Sequence, residues 1–236
     1  MVIKHFSSID STNTYLKKHY KELDNYTFIS ADYQSEGRGR NNRNWISENS
    51  KNMLFSLLIL DKRLFNHYKE ISIIVAYSIL KELEKLGINN LMIKWPNDIY
   101  VKDKKICGIL LESIATNEID CLIIGIGLNI NQKEFIGDYR VNPTSVCLEL
   151  NKEININQFK NNIYNSIIYF LNDIMNNVSY YNEIIKYDYL KNKKAYYSIN
   201  NRKELIKIIG IDEDYSLSLI FNNKHINIEN GEIDIV

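Results

Sequence analysis

The run Met53-Leu54-Phe55-Ser56-Leu57-Leu58-Ile59-Leu60 constrains the fold of this chain more than any other stretch. It is far shorter than the roughly 20 apolar residues a membrane-spanning helix needs, and it is continuous rather than periodic, so it reads as a strand. Cys121 to Leu128 has the same character and reads as another buried strand. Helices are available to cover such strands. Residues 66–86 place Tyr68, Ile71, Val75, Ile79, Leu83 and Leu86 at helical spacing and stop at Gly87, an amphipathic helix with a glycine terminator. A second helix is predicted from about Asn157 to Asn176, with Phe159, Ile163, Ile167, Phe170 and Leu171 on one side.

The remaining elements fall between these. Val2 to Phe6 reads as a strand, and the segment Ser7 to Asn13 is dense in helix N-cap residues. A helix from about Thr12 to Leu23 follows, with its free N–H groups directed back at Ser11 and Thr12. Phe28 to Asp32 is the next strand. Leu91 to Trp95 and Ile99 to Val101 are strand pieces interrupted by Pro96-Asn97-Asp98, and Ile106 to Ile114 returns as a hairpin partner. A weaker helix covers Tyr181 to Leu190. From about residue 193 short alternating strands take over, at Tyr196–Ile199, Lys203–Ile211, Tyr215–Phe221, Ile226–Ile228 and Glu232–Val236, which suggests a small barrel. The expected class is α+β: a mixed β-sheet domain with helices packed on it, residues 1–190, then a small β-barrel domain, residues 191–236.

Composition excludes several functions. The 29 basic and 29 acidic side chains cancel, so the strong sequence-independent attraction of a basic domain to phosphate polymers is not expected. The first residues lack a signal-peptide layout and no apolar run reaches membrane length, which predicts a cytoplasmic protein. Cys107, Cys121 and Cys147 are widely spaced and odd in number, the pattern of reduced core cysteines rather than of a disulfide framework or zinc cage.

Four polar clusters carry the candidate chemistry. In Gly37-Arg38-Gly39-Arg40-Asn41-Asn42-Arg43-Asn44-Trp45, three arginines are threaded through glycine and asparagine. Guanidinium groups match carboxylate or phosphate bidentately and glycine permits close backbone approach, although polar loops of this composition are also common on surfaces. Lys94-Trp95-Pro96-Asn97-Asp98 offers an amide and a carboxylate for a nucleotide with its divalent metal, or only a turn. Lys105 stands shortly before Gly108, as a point charge beside an approachable backbone or as a solvated turn lysine. Gly125-Ile126-Gly127-Leu128-Asn129 ends a strand with glycines that suit close packing around a small ligand and lacks the rest of a dinucleotide fingerprint.

Taken in order, Ser11-Thr12-Asn13, Gln34 with the Gly37–Trp45 loop, Lys94 to Asp98, Lys105-Ile106-Cys107-Gly108-Ile109-Leu110, Gly125 to Asn129 and Thr144-Ser145 make the chain resemble the catalytic core of the biotin protein ligases, in the short form without an N-terminal helix-turn-helix domain. The resemblance covers about residues 3–150, and the C-terminal strands fit that family's second, SH3-like barrel. It implies ATP-dependent attachment of biotin to a lysine of a biotin carboxyl carrier protein or domain, through biotinyl-5′-AMP, with biotin, ATP and Mg²⁺ as the small molecules.

Residue by residue, the resemblance implies that Ser11, Thr12, Asn13 and Gln34 hold the biotin ring, with Gly37, Arg38, Gly39 and Gly108 lining its pocket. Arg40 and Lys105 are the implied catalytic cations at the biotin carboxylate and α-phosphate. Arg43, Trp45, Asn97, Asp98 and Asn129 are implied on the ATP side, no fixed metal site is expected, and Mg²⁺ arrives with ATP, near Asp98. Neither DNA nor membrane is an expected partner, and a homodimer is left open. Asn42 departs from the family's usual glycine, at a position where asparagine tolerates left-handed geometry best among other residues. The competing readings are a lipoate or octanoate ligase, which lacks the Lys-Trp-Pro-Asn-Asp cluster, and an adenylate-binding module without turnover.

Overall fold

The computed structural model describes residues 2–41, 43–199 and 202–236, so Asn42 lies outside the described residues. Seven strands form one mixed sheet: β1 (Val2–Ile9), β2 (Thr27–Gln34), β3 (Asn52–Ile59), β4 (Leu91–Lys94), β5 (Asp98–Val101), β6 (Lys104–Ala115) and β7 (Ile119–Asn129). Their spatial order is β1-β2-β3-β7-β6-β5-β4, with β1 parallel to β2 and the other neighbours antiparallel. Among the described residues, five α-helices accompany them: α1 (Thr12–His19), α2 (Tyr68–Lys85), α3 (Val146–Leu150), α4 (Ile156–Met175) and α5 (Tyr181–Ile184).

The apolar run is β3, buried along its whole length because the sheet is covered on both sides. Strand geometry sends alternate side chains to opposite faces, and β7 shows the consequence. Leu122, Ile124, Ile126 and Leu128 join the main core, which also holds Ile71, Ile74, Val75, Ile79 and Leu83 of α2 and Ile163 and Ile167 of α4. Each such side chain, fully buried, contributes about 1.5–3 kcal/mol. Cys121 and Ile123 face the other way, into a smaller cluster with Leu16 of α1, Ile29 and Leu58. Gly125, Gly127 and Asn129 continue on that second face, beyond the end of α1.

Local chemistry ends the helices as expected. Ser11 is the N-cap of α1 and accepts from Thr14 N at 3.4 Å, while Gly87, at φ +94°, closes α2 where an L side chain would be strained.

Several boundaries differ from expectation. The first helix stops at His19 and continues as a 3₁₀ turn over Tyr20–Glu22. The predicted helix over Tyr181–Leu190 is helical only to Ile184, with a 3₁₀ turn over Ile185–Tyr187. Asp188 then bridges to Ile93 on the β4 edge, and that pairing replaces helix. Pro96 does not interrupt one strand: Lys94 pairs with Asp98, so β4 and β5 are antiparallel arms of a hairpin with Pro96 in its turn.

A second, antiparallel sheet of five strands forms the SH3-like barrel: β8 (Lys194–Ile199), β9 (Arg202–Ile211), β10 (Leu217–Phe221), β11 (Lys224–Ile228) and β12 (Asp234–Ile235), ordered β11-β10-β9-β8-β12. Strand β10 begins later than predicted because Tyr215 sits in the turn at φ +63°, and the last strand is confined to Asp234–Ile235. Ala195, Ile206, Leu217 and Ile233 share one core with Ile93, Trp95 and Leu190. Trp95 also donates its Nε1 to Tyr215 O at 3.0 Å, so the two sheets are joined by packing and by a buried hydrogen bond.

Candidate active site

The polar clusters converge on one cavity of about 460 Å³ on the second face of the seven-stranded sheet. Its floor is made by absence of side chains. Gly108 of β6 pairs with Gly127 of β7, and the indole of Trp45 lies on both. A Cβ at Gly127 would stand 2.6 Å from Trp45 Cζ2 and 2.8 Å from Cδ2, and one at Gly108 would stand 2.9 Å from Trp45 Cζ3 and 3.0 Å from Lys105 Nζ. Contacts under 3.0 Å are essentially never made by real Cβ atoms, so the glycines are required by the ring above them.

Trp45 is delivered there by the arginine loop, which folds as a small hairpin. Trp45 N donates to Gly37 O at 2.9 Å, Gly39 N to Arg43 O at 2.7 Å, and Arg38 bridges to Asn44.

One end of the cavity is neutral and lined by side chains that hydrogen-bond to one another. Ser11, Thr12 and Asn13, at the start of α1, are buried with Gln34 beside them at the end of β2. Thr12 donates its backbone N–H to Gln34 Oε1 at 2.7 Å, and Thr12 Oγ1 lies 3.0 Å from the same oxygen. Thr12 Oγ1 also meets Ser56 Oγ at 2.6 Å, and Ser56 donates onward to Asn13 Oδ1.

The other end is cationic. Lys105 Nζ and Asp98 Oδ1 form an ion pair at 2.8 Å, with side chains 30% and 19% exposed, and the ammonium sits 5.6 Å from the centre of the Trp45 ring. Arg40 donates to Asn97 Oδ1 at 3.2 Å and to Gly231 O at 3.1 Å. Arg43 and Arg140 both donate to Glu232 Oε2, at 2.5 and 2.8 Å. Burial alone would raise the Glu232 carboxyl, but the Arg43 hydrogen bond and charge, reinforced by those of Arg140, hold it below its ordinary value. Lys94, in the same wall, is pushed down chiefly by burial. Trp45 Nε1 and Asn129 Oδ1 are buried in this wall with no partner among the described residues, an arrangement that costs free energy unless a ligand completes it.

Of the residues expected in the site, Ser11, Thr12, Asn13, Gln34, Arg38, Gly39, Arg40, Arg43, Trp45, Asn97, Asp98, Lys105, Gly108 and Asn129 all line this cavity. Gly37 does not: it is buried at the base of the loop, where a Cβ would meet Trp45 O at 2.8 Å. Thr144 and Ser145 are structural. Thr144 O accepts from Asn129 Nδ2 at 2.9 Å, and Ser145 caps α3. Ser56, Glu112, Arg140 and Glu232 were missed. Only Ser56 had a usable signal, as the lone hydroxyl in an otherwise apolar strand.

Residues 5–129 match the model of the Biotin/lipoate A/B protein ligase family. Over 123 residues the chain is 35% identical to the bifunctional ligase/repressor BirA of Escherichia coli (strain K12), a stretch that is 52% of this chain and 38% of that protein. It is 30% identical over 136 residues to the biotin–protein ligase of Homo sapiens, covering 54% of this chain and 17% of that protein. The matched region is thus well under half the length of these relatives. In structure, the chain superposes on a biotin protein ligase from Aquifex aeolicus in complex with biotin and ATP at a TM-score of 0.87 and 24% identity, covering 100% of this chain and 98% of that one. Because the family model spans residues 5–129, more than half of the 236, the chain belongs to the biotin/lipoate A/B protein ligase family.

Proposed function

We propose that this chain attaches biotin to a specific lysine of a biotin carboxyl carrier domain at the expense of ATP, through biotinyl-5′-AMP. One observation carries the reading: a single cavity joins a neutral hydrogen-bonding end to a cationic end across a glycine floor. A molecule that fits has a polar uncharged ring, an apolar arm and a carboxylate delivered beside nucleotide phosphates. Biotin has that layout, and the superposed Aquifex aeolicus ligase is described with biotin and ATP bound.

In this reading Ser11, Thr12, Asn13 and Gln34 hold the ureido ring, with Arg38, Gly39 and Gly108 around it. Arg40 and Lys105 place positive charge where the biotin carboxylate oxygen attacks the α-phosphorus and pyrophosphate leaves. Such a displacement depends mainly on positioning and charge neutralisation. Arg43, Trp45, Asn97 and Asn129 take the nucleotide, whose groups would pair the Trp45 indole N–H and the Asn129 carbonyl. In the second step the carrier lysine's amine attacks the acyl carbon of the mixed anhydride, AMP leaves, and the amine loses a proton. The arginine loop would cover the adenylate against water.

Mg²⁺ belongs to this scheme as part of the substrate MgATP. Among the described residues no group of three or more His, Cys, Asp or Glu is arranged to hold a metal, and the Asp98 carboxylate is already paired with Lys105. No helix among the described residues is long and apolar enough to cross a membrane. A cytoplasmic location and units at 1–190 and 191–236 complete the proposal.

The neutral end separates biotin from lipoate. A dithiolane ring offers no hydrogen bonds, so a polar atom of that end cut off from water without a new partner, such as the free Gln34 amide nitrogen, would cost about 1–3 kcal/mol. Exchange of labelled pyrophosphate into ATP should therefore depend on biotin. Exchange supported by lipoate and not by biotin would refute the assignment.

A further inference from the structure

The hydrogen bonds at the neutral end continue out of the cavity to two residues that do not line it. Glu112, on β6, has both carboxylate oxygens engaged: Oε2 accepts from Asn13 Nδ2 at 2.8 Å, and Oε1 accepts from Lys17 Nζ at 2.6 Å. Lys17 stands one helical turn after Asn13 on α1, so both reach the same carboxylate. The Asn13 amide also has no slack below it. A Cβ at Gly125 would lie 2.9 Å from Asn13 Cγ and 3.0 Å from Nδ2.

The polarity of this chain of contacts is forced from its two ends. A carboxylate only accepts and a backbone N–H only donates. Glu112 therefore turns the Asn13 amide nitrogen toward itself and leaves Asn13 Oδ1 to accept from Ser56. At the far end the Thr12 N–H turns Gln34 Oε1 toward itself, so the Gln34 amide nitrogen is left as the free, donating end of that side chain. Between them, Ser56 Oγ and Thr12 Oγ1 must share two hydroxyl protons among three oxygen–oxygen contacts. Reversing the Asn13 amide would point N–H groups at Ser56 and turn both hydroxyls toward Gln34, which changes the donor and acceptor sense of the set.

We infer that Glu112, held by Lys17, is a positioning residue that sets the hydrogen-bonding sense of the ring-binding end, through Asn13, for the biotin ureido group. This rests on the biotin reading above and adds to it a residue outside the cavity wall.

Glu112→Gln tests it without removing bulk. The introduced amide has one carbonyl for two donors, and the Lys17 ammonium competes for it more strongly than the Asn13 amide does. Its NH₂ then faces Asn13, which must reverse. Biotin affinity, measured by calorimetry with biotin alone, should fall about 10- to 100-fold, the range expected when a buried polar group of the ring meets a partner of the wrong sense. ATP affinity should change little. Adding Lys17→Ala frees the introduced carbonyl for Asn13 and should restore most of the biotin affinity. A residue of merely structural role would show no such rescue. Unchanged biotin affinity in Glu112→Gln, or a loss that Lys17→Ala does not reverse, would overturn the inference. Failure of the wild-type chain to bind biotin would instead count against the biotin reading beneath it.

Discussion

Lys105→Met removes the charge assigned to the reacting centre, and the structure shows that the change has two separable effects. The ammonium lies 2.8 Å from Asp98 Oδ1 in a partly buried pair, so deleting it strands a carboxylate as well as a catalytic cation. Exposed pairs are worth about 0–1 kcal/mol and breaking a buried pair from one side costs about 3–5. This pair is intermediate, and about 2 kcal/mol is expected, or roughly 4–8 °C of melting temperature for a chain of this size. Removing one preorganised donor from a developing charge costs about 10²–10³ in rate. The second variant, Lys105→Met with Asp98→Asn, removes the stranded charge and should recover the melting temperature while biotin-dependent pyrophosphate exchange stays depressed. Recovery of exchange in the double variant would refute the role given to Lys105, leaving it as a counter-ion for Asp98.

Gly127→Ala puts a methyl group into the Trp45 indole; it should weaken nucleotide binding by at least about tenfold, the equivalent of 1.4 kcal/mol, while biotin binding alone, measured by calorimetry, is far less affected. Glu232 is held below its ordinary carboxylate value of 4.5 by Arg43 and Arg140 against the opposing effect of burial. A depressed folded value means that its stabilisation is present above pH 4.5 and lost as pH falls through the folded value. Urea unfolding should accordingly show wild type more stable than Glu232→Gln near neutrality, with the gap closing in acid. Asp188 accepts from Leu190 N and Ile211 N, each at 2.9 Å, in a buried position. Asp188→Asn turns an NH₂ toward one of those donors and should cost about 1–3 kcal/mol by denaturant titration, with biotin affinity retained.

Much of this was legible from residue order, and what was not has physical causes. The period-two strands and the α2 stripe announce themselves because burial on a face repeats along the chain. The Lys94–Asp98 segment did not announce its hairpin, since an apolar strand broken by proline and two strands joined by a proline turn present the same residues. Pairing of Lys94 with Asp98 is a register fact. Gly108 and Gly127 became a floor only once β6 and β7 were aligned; separately each is an ordinary strand glycine. Glu112 reads as a solvent-facing strand residue until Asn13, far back in the chain, is seen against it. Arg140 and Glu232 are 92 residues apart, and no local pattern links them. The start of β10 was misplaced because a tyrosine at positive φ carries no compositional signal.

Transfer of biotin to a carrier lysine is addressed directly by one mass measurement. A biotin carboxyl carrier domain incubated with this protein, biotin and MgATP should gain the mass of one biotinyl group, with no gain when ATP is omitted. A carrier of unchanged mass under conditions where a known biotin ligase modifies it would contradict the proposed transfer.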